Sequence, residues 1–364
     1  MLSTNLNNDK HRRRLPLFAL LALIAIVATA LAGGGAANAD AGSRRTAPAL
    51  YWGAQIGDQL TGEQAPWDMS AVYKFERVAR KKVSLIGFSA PFAKCDGGHC
   101  SFYTFPTTPM EGLRAHGTIP FFSWSSSSVS EGTHDPRFQL AKVAKGRYDQ
   151  YIRSFAHSAA EWGHPFFLRF NWEMNGNWFP WSEGVNGNSK GEYVAAWRHV
   201  HDIFDQEGAT NATWVWCPDV GELQDLRSLY PGNKYVDWTC LDGYNWGTRY
   251  YWSHWQTFDQ VYRASYKRVL QIAPSKPMVL GELASTTYGG SKPAWIRHFL
   301  KVLPTKYRAV RGFVWFDVND RGTKWPIEKP RSVAQAFAAA IANPAYQPNR
   351  FGAISASPIP PPTR

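Results

Sequence analysis

The sequence of 364 residues has only four cysteines, no internal repeat, no glycine-rich turn after its first strand-like run, and no long block of lysine and arginine past residue 39. Each absence closes an option. Without a basic block there is no concentrated electrostatic footprint, and no nucleic acid is expected as a partner. Without the glycine-rich turn, a doubly wound sheet that cradles a nucleotide phosphate loses its fingerprint. His99 lies between Cys95 and Cys100, but no second ligand pair stands at the spacing of a zinc site, so no metal is expected there. The sequence implies no metal or organic cofactor elsewhere.

What is present begins at the N-terminus. Lys10, Arg12, Arg13 and Arg14 precede an apolar run from Leu15 to about Ala32, and Ala37-Asn38-Ala39 follows. This reads as a signal peptide over residues 1–39 with an A-x-A cleavage site, and the small residues 33–36 that lead into it favour cleavage. The rival is an uncleaved membrane anchor, since the run is close to the minimum for a span. Either way the chain is exported, and it is secreted or held at the cell surface. Removing the four basic residues and one acidic residue of 1–39 from a formal charge of +12 leaves +9. Such a chain could adhere to acidic cell-wall polymers, and an evenly basic solvated surface explains the charge equally well. A monomer is expected. In an exported chain the cysteines suggest disulfides. Cys95 and Cys100 enclose the flexible Asp-Gly-Gly-His and are expected to pair, whereas Cys217 and Cys240 fit either a bridge or two buried thiols.

After a linker over residues 40–48, short apolar or aromatic runs alternate with longer amphipathic stretches. Eight runs read as strands: 50–56, 83–88, 119–124, 165–171, 213–216, 236–244, 277–282 and 312–317. Helical periodicity marks 148–162, 192–208, 258–273, 293–303 and 332–342. Strands separated by helices need parallel crossovers, and eight units over about 300 residues predict an α/β fold, a single-domain (β/α)₈ TIM barrel over residues 49–346. The tail 347–364 is proline-rich and is expected to be disordered.

In such a barrel the chemistry collects at the C-terminal ends of the strands. Glu173 follows the fourth run and Glu282 closes the seventh. Regular alternation would send Arg169, Asn171 and Glu173 to one side of the fourth strand. Two carboxylic acids converging on one cleft suit hydrolysis of a glycosidic bond: one protonates the leaving oxygen while the other meets the positive charge that develops at the sugar carbon. Trp52, Trp124, Trp178, Trp181, Trp246 and Trp315, with Tyr244, lie at strand ends or in the loops beyond, and flat rings cover the C–H faces of sugars. Asp242 reads as structural, and Asp219 as a hydrogen-bonding partner.

"LRFNWEMNGNWFPW" (168–181), "ATWVWCPD" (212–219), "YPGNKYVDWTCLDGYNWG" (230–247) and "KPMVLGEL" (276–283) resemble, in order, the strand-end motifs of glycoside hydrolase family 26. That family contains β-mannanases and enzymes of mixed-linkage β-glucan and β-1,3-xylan. The resemblance implies a (β/α)₈ barrel, retention of anomeric configuration, Glu173 as acid/base and Glu282 as nucleophile. It also implies that Tyr244 positions the nucleophile and that Trp178 and Trp315 border the cleaved sugar. β-Mannanases of the family carry His directly before the acid/base, where this chain has Trp172; Asn171 is a candidate for the lost polar contact. The expectation is an exported, retaining endo-β-glycosidase with a polysaccharide substrate, β-1,4-mannan first. The alternatives are another β-glycan or the producer's own exopolysaccharide, or binding of carbohydrate at a decayed site.

Overall fold

Strands form where the sequence concentrates β-branched and aromatic residues, and the eight apolar runs are the eight strands of a closed barrel. The computed structural model describes residues 47–363 apart from 97, 130, 131, 222, 223 and 321. The expected signal peptide and most of the linker therefore lie outside the described residues. The barrel strands are β1 (Tyr51–Ile56), β2 (Leu85–Asp96), β4 (Ile119–Val129), β5 (Phe166–Phe170), β6 (Ala212–Trp216), β7 (Trp238–Asn245), β8 (Met278–Ser285) and β9 (Val310–Asp317). They pair in parallel around the ring, and β1 closes it by pairing with both β2 and β9. The extra strand β3 (His99–Phe102) folds back antiparallel on β2, with Cys95 opposite Cys100, and the two are joined by a disulfide.

The helices α1 (Met69–Ala79), α2 (Thr107–His116), α3 (Leu140–Ala144), α4 (Asp149–Trp162), α5 (Glu192–Gln206), α6 (Phe258–Ile272), α7 (Lys292–Lys306) and α8 (Arg331–Ile341) surround the barrel. Their buried positions follow the helical repeat, as in Ile152, Phe155, Ala156 and Ala159 of α4, so each presents one apolar stripe to the strands. The outward-facing rings of the strands pack against those stripes; Trp124 stacks on Phe155 at 4.2 Å between centroids. Between β6 and β7 the described residues contain no helix, and a disulfide between Cys217 and Cys240 ties these neighbouring segments instead.

The tail departs from expectation. Residues 347–363 run under the N-terminal end of the barrel, where Ile359 is buried against the inward-facing Tyr51, Phe167, Val215 and Trp238. Proline denies this segment a ladder of its own, yet its carbonyls remain good acceptors. The Trp238 indole donates to the carbonyl of Ile359 at 2.8 Å, and the Tyr51 hydroxyl to that of Pro360 at 2.8 Å. Arg311 donates to the carbonyl of Pro362 at 2.8 Å, and the amide of Ile359 donates to the Thr213 hydroxyl at 2.9 Å. Composition alone predicts disorder because it does not register those donors.

Candidate active site

At the opposite end of the barrel the strands open into a cleft of about 720 Å³. β5 delivers Arg169 on its inward face and stops at Phe170. The backbone then turns through left-handed conformations at Asn171 (φ 44°) and Glu173 (φ 52°). Such conformations cost a glutamate on the order of 1 kcal/mol. Here tertiary bonds compensate: the amide of Asn171 donates to the Trp124 carbonyl at 3.0 Å and that of Glu173 to the Cys217 carbonyl at 2.7 Å. The turn lifts Glu173 off the strand and into the cleft.

Glu282 arrives differently. Strict alternation along β8 would send it outward with the residues that face the helices. The register of β8 slips against β7 between Leu241 and Asp242 and against β9 between Leu280 and Leu283. These irregularities aim the carboxylate inward, a use of strand bulges familiar beside functional sites. Arg169 donates to Glu282 Oε1 at 2.5 Å and to Asp242 Oδ2 at 2.5 Å, while its Nε donates to the Ser123 hydroxyl at 2.8 Å. The Tyr244 hydroxyl donates to Glu282 Oε2. Glu282 is thus gripped at both oxygens, with Asp242 balancing the buried guanidinium.

Glu173 has a different set of neighbours. The Trp178 indole donates to its Oε2 at 2.6 Å. Gly176 permits this, because a Cβ there would stand 2.5 Å from the Trp178 ring. Burial raises the Glu173 carboxyl well above the usual carboxylate range, and the charges of Asp219, Asp242 and Glu282 push it further in that direction. Asp219 is brought alongside by Asn175, whose side chain bonds the backbone of Asp219 at 2.9 and 3.0 Å and the carbonyl of Gly221 at 2.8 Å. Burial lifts Asp219 itself to about 6, against the backbone amides of Gly221 and Val220, which hold it down. One carboxylate oxygen each from Glu173, Asp242 and Glu282 lie within 4.8 Å of one another. A cation could bridge such a trio, but Arg169 already places its positive charge between Asp242 and Glu282.

Residues 140–284, which carry both glutamates, match Glycosyl hydrolase family 26. Over those residues the chain is similar to glycoside hydrolase family 26. It is 37% identical over 225 residues to Endoglucanase H of Acetivibrio thermocellus, a match covering 60% of this chain and 25% of that protein. It is 24% identical over 214 residues to Beta-1,3-xylanase TXYA of a Vibrio species, covering 51% of this chain and 43% of that one. The chain spans between a quarter and under half of the length of these two relatives. The catalytic domain of a family 26 endo-beta-1,4-mannanase from a Bacillus species superposes with a TM-score of 0.65 at 16% identity, over 83% of this chain and 88% of that one, a likeness of fold.

The structure brings Trp172, Glu173, Trp178, Tyr244, Trp246 and Glu282 to the cleft. Trp172 also lies over the Arg169 guanidinium, 4.9 Å from its ring centroid, so it covers the charge that holds Glu282. Three expected binding residues do not reach the cleft. Arg169 is buried behind it, a support for Glu282. Asn171 is fully buried, accepting from the Ser126 amide and donating to the Ser126 hydroxyl, both at 2.8 Å, so it cannot replace a lost sugar contact. Trp315 points outward on β9 and packs among Phe299, Trp295 and Phe337. Its neighbour Phe316 faces the cleft instead, as alternation along the strand requires. Trp52 and Trp124 likewise face the helices, and Trp181 is buried with its indole donating to the Trp172 carbonyl at 2.7 Å. Sequence reasoning missed the loop residues Phe179, Trp252, Asp320 and Trp325, which line the cleft from beyond strand ends where no periodicity guides.

Proposed function

We propose that the chain is an exported, retaining endo-β-glycosidase of neutral β-linked polysaccharide. The observation that carries this reading is the pairing of a glutamate of raised pKa, Glu173, with a gripped second glutamate, Glu282, whose oxygen lies within 4.8 Å of it. A separation of about 5 Å suits a double displacement, since it leaves no room for a water between carboxylate and sugar. Glu173 donates its proton to the glycosidic oxygen as Glu282 attacks the anomeric carbon, forming a glycosyl ester and releasing the leaving sugar. Glu173, now ionised, takes a proton from the water that attacks the same carbon, and Glu282 leaves with inversion a second time. Arg169 and Tyr244 aim the attacking oxygen and spread the charge that returns to it.

The cleft carries Glu173, Asp219, Glu282 and Asp320 and no lysine or arginine among its described lining residues, which favours a neutral polymer over an acidic one. Adhesion to acidic cell-wall polymers would then belong to the basic outer surface. β-1,4-Mannan is the first substrate, in keeping with the mannanase of similar fold. β-Glucan is the second reading, favoured by Trp172 in place of the usual His and by the 37% identity to a protein named an endoglucanase. Reducing-sugar release from mannan, glucomannan, mixed-linkage β-glucan and β-1,3-xylan, measured beside Glu173→Gln, tests the proposal. Release should fall about 10²–10⁴-fold in the variant, and proton NMR of the first product should show the β anomer. An α anomer at early times would refute retention, and no release from any of the four polymers would refute the glycosidase reading.

A further inference from the structure

Lys292, the first residue of α7, is fully buried. Its ammonium donates to three successive carbonyls, those of Lys324 at 2.7 Å, Trp325 at 2.7 Å and Pro326 at 2.9 Å. These belong to the loop that leaves β9 and enters α8. Among its described residues the loop has no helix or strand to satisfy its backbone, and carbonyls in a row pointing inward need donors from elsewhere. An ammonium has three N–H groups, and here each finds its own acceptor. Burial pulls Lys292 down to about 7, and the negative charge of Asp317 of β9 and Glu328 of the loop works against that pull in favour of the ammonium. Asp317 in turn accepts from the amide of Ile327 at 2.8 Å, which ties the next turn of the same loop.

The segment so held contains Trp325. Its ring forms part of the cleft wall, 5.2 Å from the Tyr244 ring and 5.0 Å from that of Trp246. A second donor, the Trp315 indole, reaches the same Trp325 carbonyl at 3.1 Å, and the Lys292 ammonium lies 5.4 Å from the Trp315 ring centroid. Trp315 therefore helps hold the wall from behind. The geometry points to Lys292 as a positioning residue of the substrate cleft: its ammonium gathers the carbonyls of 324–326 so that the Trp325 ring stands against Tyr244 and Trp246 and completes the aromatic wall for the bound sugar. It acts through backbone and ring, without touching substrate.

This role rests on the proposed glycosidase reading, so the test has one arm that needs no catalysis. In Lys292→Met the stem keeps its volume while the three carbonyls lose the ammonium as donor, and the Trp325 carbonyl keeps the Trp315 indole. Hydrogen exchange of the full chain should show amides within 323–328 losing protection about tenfold or more, the equivalent of one or two net hydrogen bonds, while α4 and α5 stay as in the wild type. KM for the soluble polysaccharide should rise about tenfold with kcat within about threefold, as expected when ground-state binding is lost. Should Lys292→Met fail to fold, Lys292→Arg, which keeps charge and donors but displaces them, is expected to give an intermediate loss in both readouts. Wild-type protection of 323–328, wild-type KM, or loss of protection spread evenly over the barrel would each overturn the proposal. A wild-type chain that hydrolyses nothing would sink the glycosidase reading alone, and the exchange arm would still decide what Lys292 does.

Discussion

Glu173 accepts from an indole and is surrounded by other carboxylates, whereas Glu282 is bonded by a guanidinium and a phenol. Under the proposed double displacement, that contrast divides the labour of acid and nucleophile between two chemically identical side chains. Glu282→Ala is expected to abolish polysaccharide turnover and leave the far-ultraviolet circular dichroism unchanged; retained turnover would sink the nucleophile assignment. Asp219 tests the electrostatics. Its negative charge raises Glu173, so Asp219→Asn should let Glu173 ionise more easily and move the alkaline limb of kcat/KM to lower pH. A limb that stays in place, or moves up, would show that Asp219 does not act on Glu173. The same substitution has a stability consequence of defined sign. Asp219 ionises near 6 in the folded chain against an ordinary value of 3.8, so what its protonated form contributes is complete below pH 3.8 and is lost as pH rises through 6. Asp219→Asn should therefore stabilise the protein above pH 6 by on the order of 1 kcal/mol, allowing for the solvent that reaches this partly exposed group, and give no such gain near pH 4. Chemical unfolding at the two pH values checks it.

At the scale of elements, the eight strands were legible because their apolar, β-branched and aromatic runs are short and well separated, and the five helical stretches because their buried faces repeat regularly. What escaped was irregular. Nothing in "RFNWEMNG" announces two left-handed residues, so alternation placed Asn171 beside Glu173 when in fact it turns away to bond β4. Asn171→Ala loses both bonds to Ser126 and a side chain that tolerates the left-handed region, and is expected to destabilise the chain by about 2 kcal/mol. Denaturant unfolding would contradict this account if the cost were near zero. The β8 irregularity that aims Glu282 is equally silent, and Glu282 is legible from its place at the end of the apolar run and from the motif around it. Trp315 shows the opposite error: a tryptophan at a strand end looked like a sugar platform, while one step of alternation hands that place to Phe316 and leaves Trp315 as packing. Tryptophans in loops, such as Trp252 and Trp325, could not be assigned because contacts across the cleft, which sequence does not print, decide where they face.

At the scale of the molecule, one end of the barrel carries the carboxylates and the other is stoppered by the chain's own residues 347–363. Ile359 is the centre of that stopper, and Ile359→Ala should cost about 2–5 kcal/mol, the range for a buried aliphatic truncated to alanine. A loss below about 0.5 kcal/mol would mean that the tail merely lies on the surface. The stopper also bears on the order of events in folding. Tyr51 and Pro360 are bonded across 309 residues of chain, and Ile359 reaches Thr213 across 146. Contacts that close such long loops form late. A ribosome that has released all eight strands has still not supplied the residue that seals the inner apolar surface, so a nascent barrel keeps a wet, open floor until this segment emerges and docks.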